Sequence, residues 1–90
     1  MKTASAGTVE SMDCVVTASE ADPGSGVTVQ IAGASAPRFG SAMRAAVLSV
    51  VERLGITDVT LSVQDNGALD LVLQARTEAA LGRLKGGDAS

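Results

Sequence analysis

Ninety residues fit one domain and leave no room for two. A chain this short buries only about 60–65% of the surface its unfolded form exposes, which argues against a deep catalytic cleft. Seven basic and ten acidic residues give a net charge of −3 with no basic stripe, and Phe39 is the only aromatic side chain. Neither a phosphate backbone nor a stacked single strand is therefore an expected partner. With no histidine and one cysteine, the chain lacks the commonest general base, a Cys/His metal cluster and any internal disulfide. Met1-Lys2-Thr3-Ala4-Ser5 is not the apolar run of a secretory signal, and nothing approaches membrane-spanning length. The expectation is a cytoplasmic protein with no membrane partner.

In chain order, the first signal is strict alternation from Met12 to Ala18, which places Met12, Cys14, Val16 and Ala18 on one face of a strand. Ser19 to Gly26 collects Pro23, Gly24 and Gly26 and reads as a loop. Val27, Val29 and Ile31 then point inward from a second strand, expected to pair with the first as a hairpin. Phe39, Ala42, Met43, Ala46, Val47, Val50, Val51 and Leu54 fall at helical spacing, so the next element is a helix. Pro37 suits its first turn and Gly55 a left-handed C-terminal cap.

Val59, Leu61 and Val63 alternate again, and Asp65-Asn66-Gly67 carries the chemistry of a tight hairpin turn. Leu69, Leu71, Leu73 and Ala75 continue the alternation to about Arg76, and Thr77 is placed to cap a short helix to Leu84. A helix from Leu69 is the rival reading, because Leu69, Val72, Leu73, Ala80 and Leu84 also fit a stripe. The expected fold is an α+β two-layer sandwich in the order ββαββα. It has a four-stranded antiparallel sheet of two hairpins, with one long and one short helix on one face. Residues 1–90 form the single domain, with 1–7 and 85–90 expected to fray.

Candidate chemistry is sparse. Ser11 lies just before the first predicted strand, so its primary alcohol should stand at an exposed mouth, open to a modifying transferase. Most loop serines only hydrogen-bond locally, so position alone does not single it out. Glu10 and Asp13 flank it and suit either partner recognition or an ordinary solvated turn. Cys14 reads as a small core residue rather than a reactive thiol. Asp65 and Asp70 resemble a carboxylate pair but bracket a turn. Arg38, Arg44, Arg53, Arg76 and Arg83 suit phosphate contacts or plain surface charge. Met43 and Phe39 are assigned to the core.

Four blocks change the weight given to Ser11. They are Gly7-Thr8-Val9-Glu10-Ser11-Met12-Asp13-Cys14, Phe39-Gly40-Ser41-Ala42-Met43-Arg44, Asp65-Asn66-Gly67-Ala68-Leu69-Asp70 and Gln74-Ala75-Arg76-Thr77-Glu78-Ala79-Ala80-Leu81. Together, from about Ala6 to Leu84, they resemble the acyl carrier protein (gamma) subunit of citrate lyase. They do not resemble four-helix acyl carrier proteins, which offer an Asp-Ser-Leu triplet that is missing here.

The resemblance implies a carrier that is not itself catalytic. It implies a phosphodiester-linked 2′-(5″-triphosphoribosyl)-3′-dephospho-coenzyme A on Ser11. It also implies the citrate lyase alpha and beta subunits and a prosthetic-group transferase as partners. The arm would hold acetyl and citryl thioesters while citrate is cleaved to acetate and oxaloacetate. Two positions depart from the family pattern: Val9 replaces leucine, and Met12 stands where Gly or Ser is expected. The carrier subunit of malonate decarboxylase is the alternative within the same class, and an unmodified interaction or assembly domain is the alternative outside it.

Overall fold

Period-two alternation along the strands decides which side of the sheet is dry. A computed structural model describes residues 2–86. Four strands, β1 (Thr3–Gly7), β2 (Asp13–Glu20), β3 (Val27–Gly33) and β4 (Val59–Asn66), form one sheet in the order β1-β2-β4-β3. Two helices, α1 (Ala36–Arg53) and α2 (Asp70–Gly86), cover one face. Cys14, Val16 and Ala18 of β2 and Val59, Leu61 and Val63 of β4 are buried beneath them. Met43, Val47, Val50 and Val51 of α1 and Leu73, Ala80, Leu81 and Leu84 of α2 complete the core. The other face is polar: Thr3 bonds Ser19 at 3.2 Å and Ser5 bonds Thr17 at 2.9 Å across β1 and β2.

The α+β two-layer arrangement, with four strands and two helices on one face, is the expected one. Its order along the chain differs, reading βββαβα. Thr3–Gly7, expected to fray, is edge strand β1 and makes a hairpin with β2; Met1 and 87–90 lie outside the described residues. β2 and β3 are not neighbours. β4 lies between them, antiparallel to β2 and parallel to β3, because α1 supplies the crossover that a parallel pair needs.

The second expected hairpin is absent as well. The Asp65 side chain takes the Gly67 and Ala68 amides at 3.1 and 3.0 Å, closing a turn that delivers the chain into α2 rather than a strand. The rival reading, a helix from near Leu69, is the observed one. Leu71, inward under strand alternation, is exposed, whereas Leu73, Thr77, Ala80, Leu81 and Leu84 keep helical period. Thr77 is no cap; its hydroxyl sits mid-helix and donates to the Leu73 carbonyl at 2.8 Å.

α1 ends as expected. Gly55 adopts φ +71° while its amide donates to Glu52 O and that of Ile56 donates to Val51 O, the two bonds of a Schellman motif. Its start corrects one assignment. Burial begins only at Met43, and Phe39 is 52% exposed because the first turn of α1 stands clear of the packed layer. Both sheet edges are tied to helices. Arg83 donates to the Ser5 carbonyl on β1 at 2.6 Å, and Arg44 to the Val29 carbonyl on β3 at 2.7 Å.

Candidate functional site

The turn from Thr8 to Met12 joins β1 to β2 at the end of the sheet where β3 and β4 also finish. Register shows this, since Gly7 faces Val15, Asp13 faces Asn66 and Gly33 faces Asp65. Both helices begin at the same end, and the positive ends of their dipoles therefore lie there. Ser11 is exposed within this turn, as its sequence position requires. None of the hydrogen bonds among the described residues engages its hydroxyl.

Local backbone chemistry shapes the turn. Gly7 has φ +106°, and a Cβ there would collide with the Cys14 carbonyl, so only glycine lets the chain leave β1 this close to β2. Met12 has φ +65°, the one non-glycine residue with positive φ among those described. That conformation costs an L-residue roughly 1–2 kcal/mol and accounts for glycine as an expected occupant of position 12.

Asp13 is the hub beneath Ser11. Arg76 grips it bidentately, Nε to Oδ1 at 3.0 Å and one terminal nitrogen to Oδ2 at 2.8 Å. The Thr8 hydroxyl donates to Oδ2 at 2.7 Å and the Cys14 amide to Oδ1 at 2.7 Å. The Arg76 guanidinium, with help from Thr8 and the Cys14 amide, holds the Asp13 carboxyl well below the usual carboxylate range. The carboxylate is thus committed inside the molecule, and its task is to hold the turn.

Glu10 is exposed, its carbonyl accepting from the Asp13 amide at 3.2 Å. Asn66 ties the other side. Its carbonyl takes the Met12 amide at 2.8 Å, and its side-chain nitrogen donates to the Val9 carbonyl at 2.6 Å. Asp65 is buried next to it. Burial raises its carboxyl, but amides of Gly67, Ala68 and Ser35 outweigh that, and it stays ionised below its ordinary value. Asp70 stands exposed at the start of α2, so these two acids form no working pair.

The remaining candidates resolve by placement. Cys14 is fully buried, and burial pushes its thiol up to about 11, the opposite of a reactive thiolate. Arg53 pairs with Glu78 at 3.1 Å, Arg44 and Arg83 hold edge carbonyls, and Arg38 lies over the Phe39 ring at 5.2 Å. Among the described residues no group of three or more His, Cys, Asp or Glu could hold a metal, and no helix is long and apolar enough to cross a membrane. What sequence reasoning missed is the Arg76–Asp13–Thr8 tie and the bonds from Asn66 to Met12 and Val9. Three of the four blocks quoted above converge on this turn, and their joint presence was the available signal.

A chemically plain site results, a free primary alcohol on a braced turn. It is reachable from solvent, and among the described residues no side chain is bonded to it as a base would be. Residues 1–84 match a family model described as "Malonate decarboxylase delta subunit (MdcD)". The citrate lyase acyl carrier protein of Yersinia enterocolitica is 42% identical over 81 residues, 90% of this chain and 82% of that one. The one from Streptococcus equi subsp. equi is 39% identical over 81 residues, 90% and 78% of the two chains. That of Halothermothrix orenii is 34% identical over 86 residues, 96% and 89%. A chain in the crystal structure of a Pseudomonas malonate decarboxylase hetero-tetramer in complex with malonate superposes with a TM-score of 0.62 at 29% identity, covering 91% of this chain and 82% of that one.

Proposed function

The chain belongs to the acyl carrier family that this family model and these citrate lyase relatives define, and on that premise we propose that Ser11 anchors a phosphodiester-linked prosthetic arm in a citrate-cleaving complex. The observation that supports it is the exposed hydroxyl on a turn braced from both sides. A carrier needs a handle that a transferase can reach and a base that does not move under it. The Arg76–Asp13–Thr8 tie and the Asn66 bonds supply the second requirement.

The proposed arm derives from 2′-(5″-triphosphoribosyl)-3′-dephospho-coenzyme A. Ser11 Oγ forms a bond to the first phosphorus, diphosphate leaves, and the hydroxyl proton passes to a base on the transferase. When bound, the arm supplies a thiol whose acetyl thioester exchanges with citrate and whose citryl thioester is cleaved, on the alpha and beta subunits. The carrier's own residues take no part in bond breaking. Ser11 fixes one end, and tethering keeps the acyl group at an effective concentration of order millimolar near each partner.

Intact mass tests this. Incubation with the triphosphate precursor and a transferase of the citrate lyase type should add one arm, and Ser11→Ala should add none while leaving circular dichroism unchanged. An unmodified wild-type chain, or a loaded Ser11→Ala, overturns the proposal.

The family description and the hetero-tetramer neighbour favour a second reading, the carrier of a malonate decarboxylase, which uses the same kind of arm. Pull-down separates them, because the citrate lyase reading predicts capture by a citrate lyase alpha subunit and not by a malonate decarboxylase core.

A further inference from the structure

Six large apolar side chains are exposed among the described residues, and five lie at the Ser11 end. Val9 (74% exposed) and Met12 (63%) flank Ser11 in its turn, and Leu69 (63%) and Leu71 (78%) stand at the start of α2. Phe39 is in the first turn of α1, with Arg38 laid over its ring. Only Leu48, midway along α1, lies elsewhere. Asn66 links the first two pairs, since it bonds Met12 and Val9 directly and is followed, through Gly67 and Ala68, by Leu69.

The fold does not require these side chains. Met12 is strained by its positive φ, and the buried stripe of α2 begins only at Leu73. Exposed apolar side chains gathered around one spot mark a surface meant to be covered.

We propose that Val9, Met12, Leu69 and Leu71 form the docking platform for the transferase that loads Ser11, a partner with an apolar recess and a basic rim. This rests on the assignment of Ser11 above. Phosphodiester formation brings the phosphorus of the transferase-bound precursor to bonding distance of Ser11 Oγ, so side chains one and two residues away lie against the enzyme. Enzymes that act on the acyl group meet the far end of a long arm and have no such need.

Charge fixes the rim. Asp13 is neutralised by Arg76 and Asp65 is buried, which leaves Glu10 and Asp70 as the free acids beside the platform. A second copy of this chain fits poorly, because a two-fold contact would bring both copies' Glu10 and Asp70 into one interface and bury the hydroxyl.

Loading kinetics followed by intact mass test the platform, with the triphosphate precursor and transferase named above. The double variant Leu69→Ser/Leu71→Ser should raise the KM for the carrier about tenfold or more with kcat little changed, as expected when interface anchors are lost. Glu10→Lys should raise KM several-fold, less so at high salt. Leu48→Ser should match wild type. All sites are exposed, so circular dichroism should show intact folds. A double variant loaded with wild-type KM overturns the platform alone, and failure of the wild-type chain to load overturns the Ser11 assignment with it. A wild-type dimer in light scattering that the double variant abolishes assigns the surface to a second copy and overturns the transferase as its occupant.

Discussion

At both ends of the sheet an aspartate grips backbone amides to close a loop, and the two grips differ in burial. At the far end, Asp58 accepts from the Gly24 and Gly26 amides at 3.0 and 2.8 Å, holding the loop between β2 and β3 at the surface. At the Ser11 end, Asp65 does the same for Gly67, Ala68 and Ser35 from within the core. The far end also holds a cleft of about 770 Å³, lined by Lys2, Glu20, Asp22, Asp58 and Lys85 over Ile56, Leu81 and Leu84. Ser11 lies at the other end, exposed on its turn. For a carrier, stiffness and access at one atom matter more than concavity, so that hollow is a poor guide to the proposed attachment point.

That contrast can be broken first with glycine. Gly7→Ala forces a Cβ into the Cys14 carbonyl at a positive φ, and should destabilise by roughly 3 kcal/mol in urea unfolding. Gly24→Ala meets open space at the far end, and should show only the strain of its own φ, about 1 kcal/mol. Next come the two grips themselves. Asp65→Ala empties a buried carboxylate site and leaves three half-buried amides unpaired, and should lose about 2–3 kcal/mol, against a smaller loss for Asp58→Ala, which frees one exposed and one half-buried amide.

Acid sharpens the comparison further. Asp13, Asp58 and Asp65 all lie below the ordinary carboxyl value of 3.8 in the fold. The unfolded chain therefore binds more protons in acid; stability is full above about pH 4 and falls as pH drops through the lower folded values. Arg76→Met, by releasing Asp13, should flatten the dependence of the urea midpoint between pH 5 and 2 more than Asp58→Asn does. The smallest change is expected at Met12. Met12→Gly relieves the left-handed strain and should stabilise by about 0.5–1 kcal/mol.

Much of this was legible in the sequence, and the failures are instructive. Faces of β2, β3 and β4 and the Schellman end of α1 follow from local periodicity and one glycine. Pairing did not follow. β3 and β4 lie side by side only because α1 crosses between them, and the alternation within each strand carries no trace of that partner. Asp65-Asn66-Gly67 failed for a subtler reason. The same residues suit a hairpin and a helix entry, and the choice falls to which amides the Asp65 carboxylate can reach. β1 escaped notice because Thr-Ala-Ser-Ala-Gly has too little apolar bulk to show a pattern. At the site, the position of Ser11 in an exposed turn was readable, but its brace was not, since Arg76 and Asp13 are 63 residues apart.

The arginines on the outer strands bear on how such a protein behaves in company. An open sheet ordinarily invites a neighbouring chain to add a strand, and a cationic side chain spanning a free carbonyl removes that invitation. With Arg44 on one margin and Arg83 on the other, copies crowded together have little to zip onto. Association is thereby steered away from strand addition and toward contacts between side-chain surfaces.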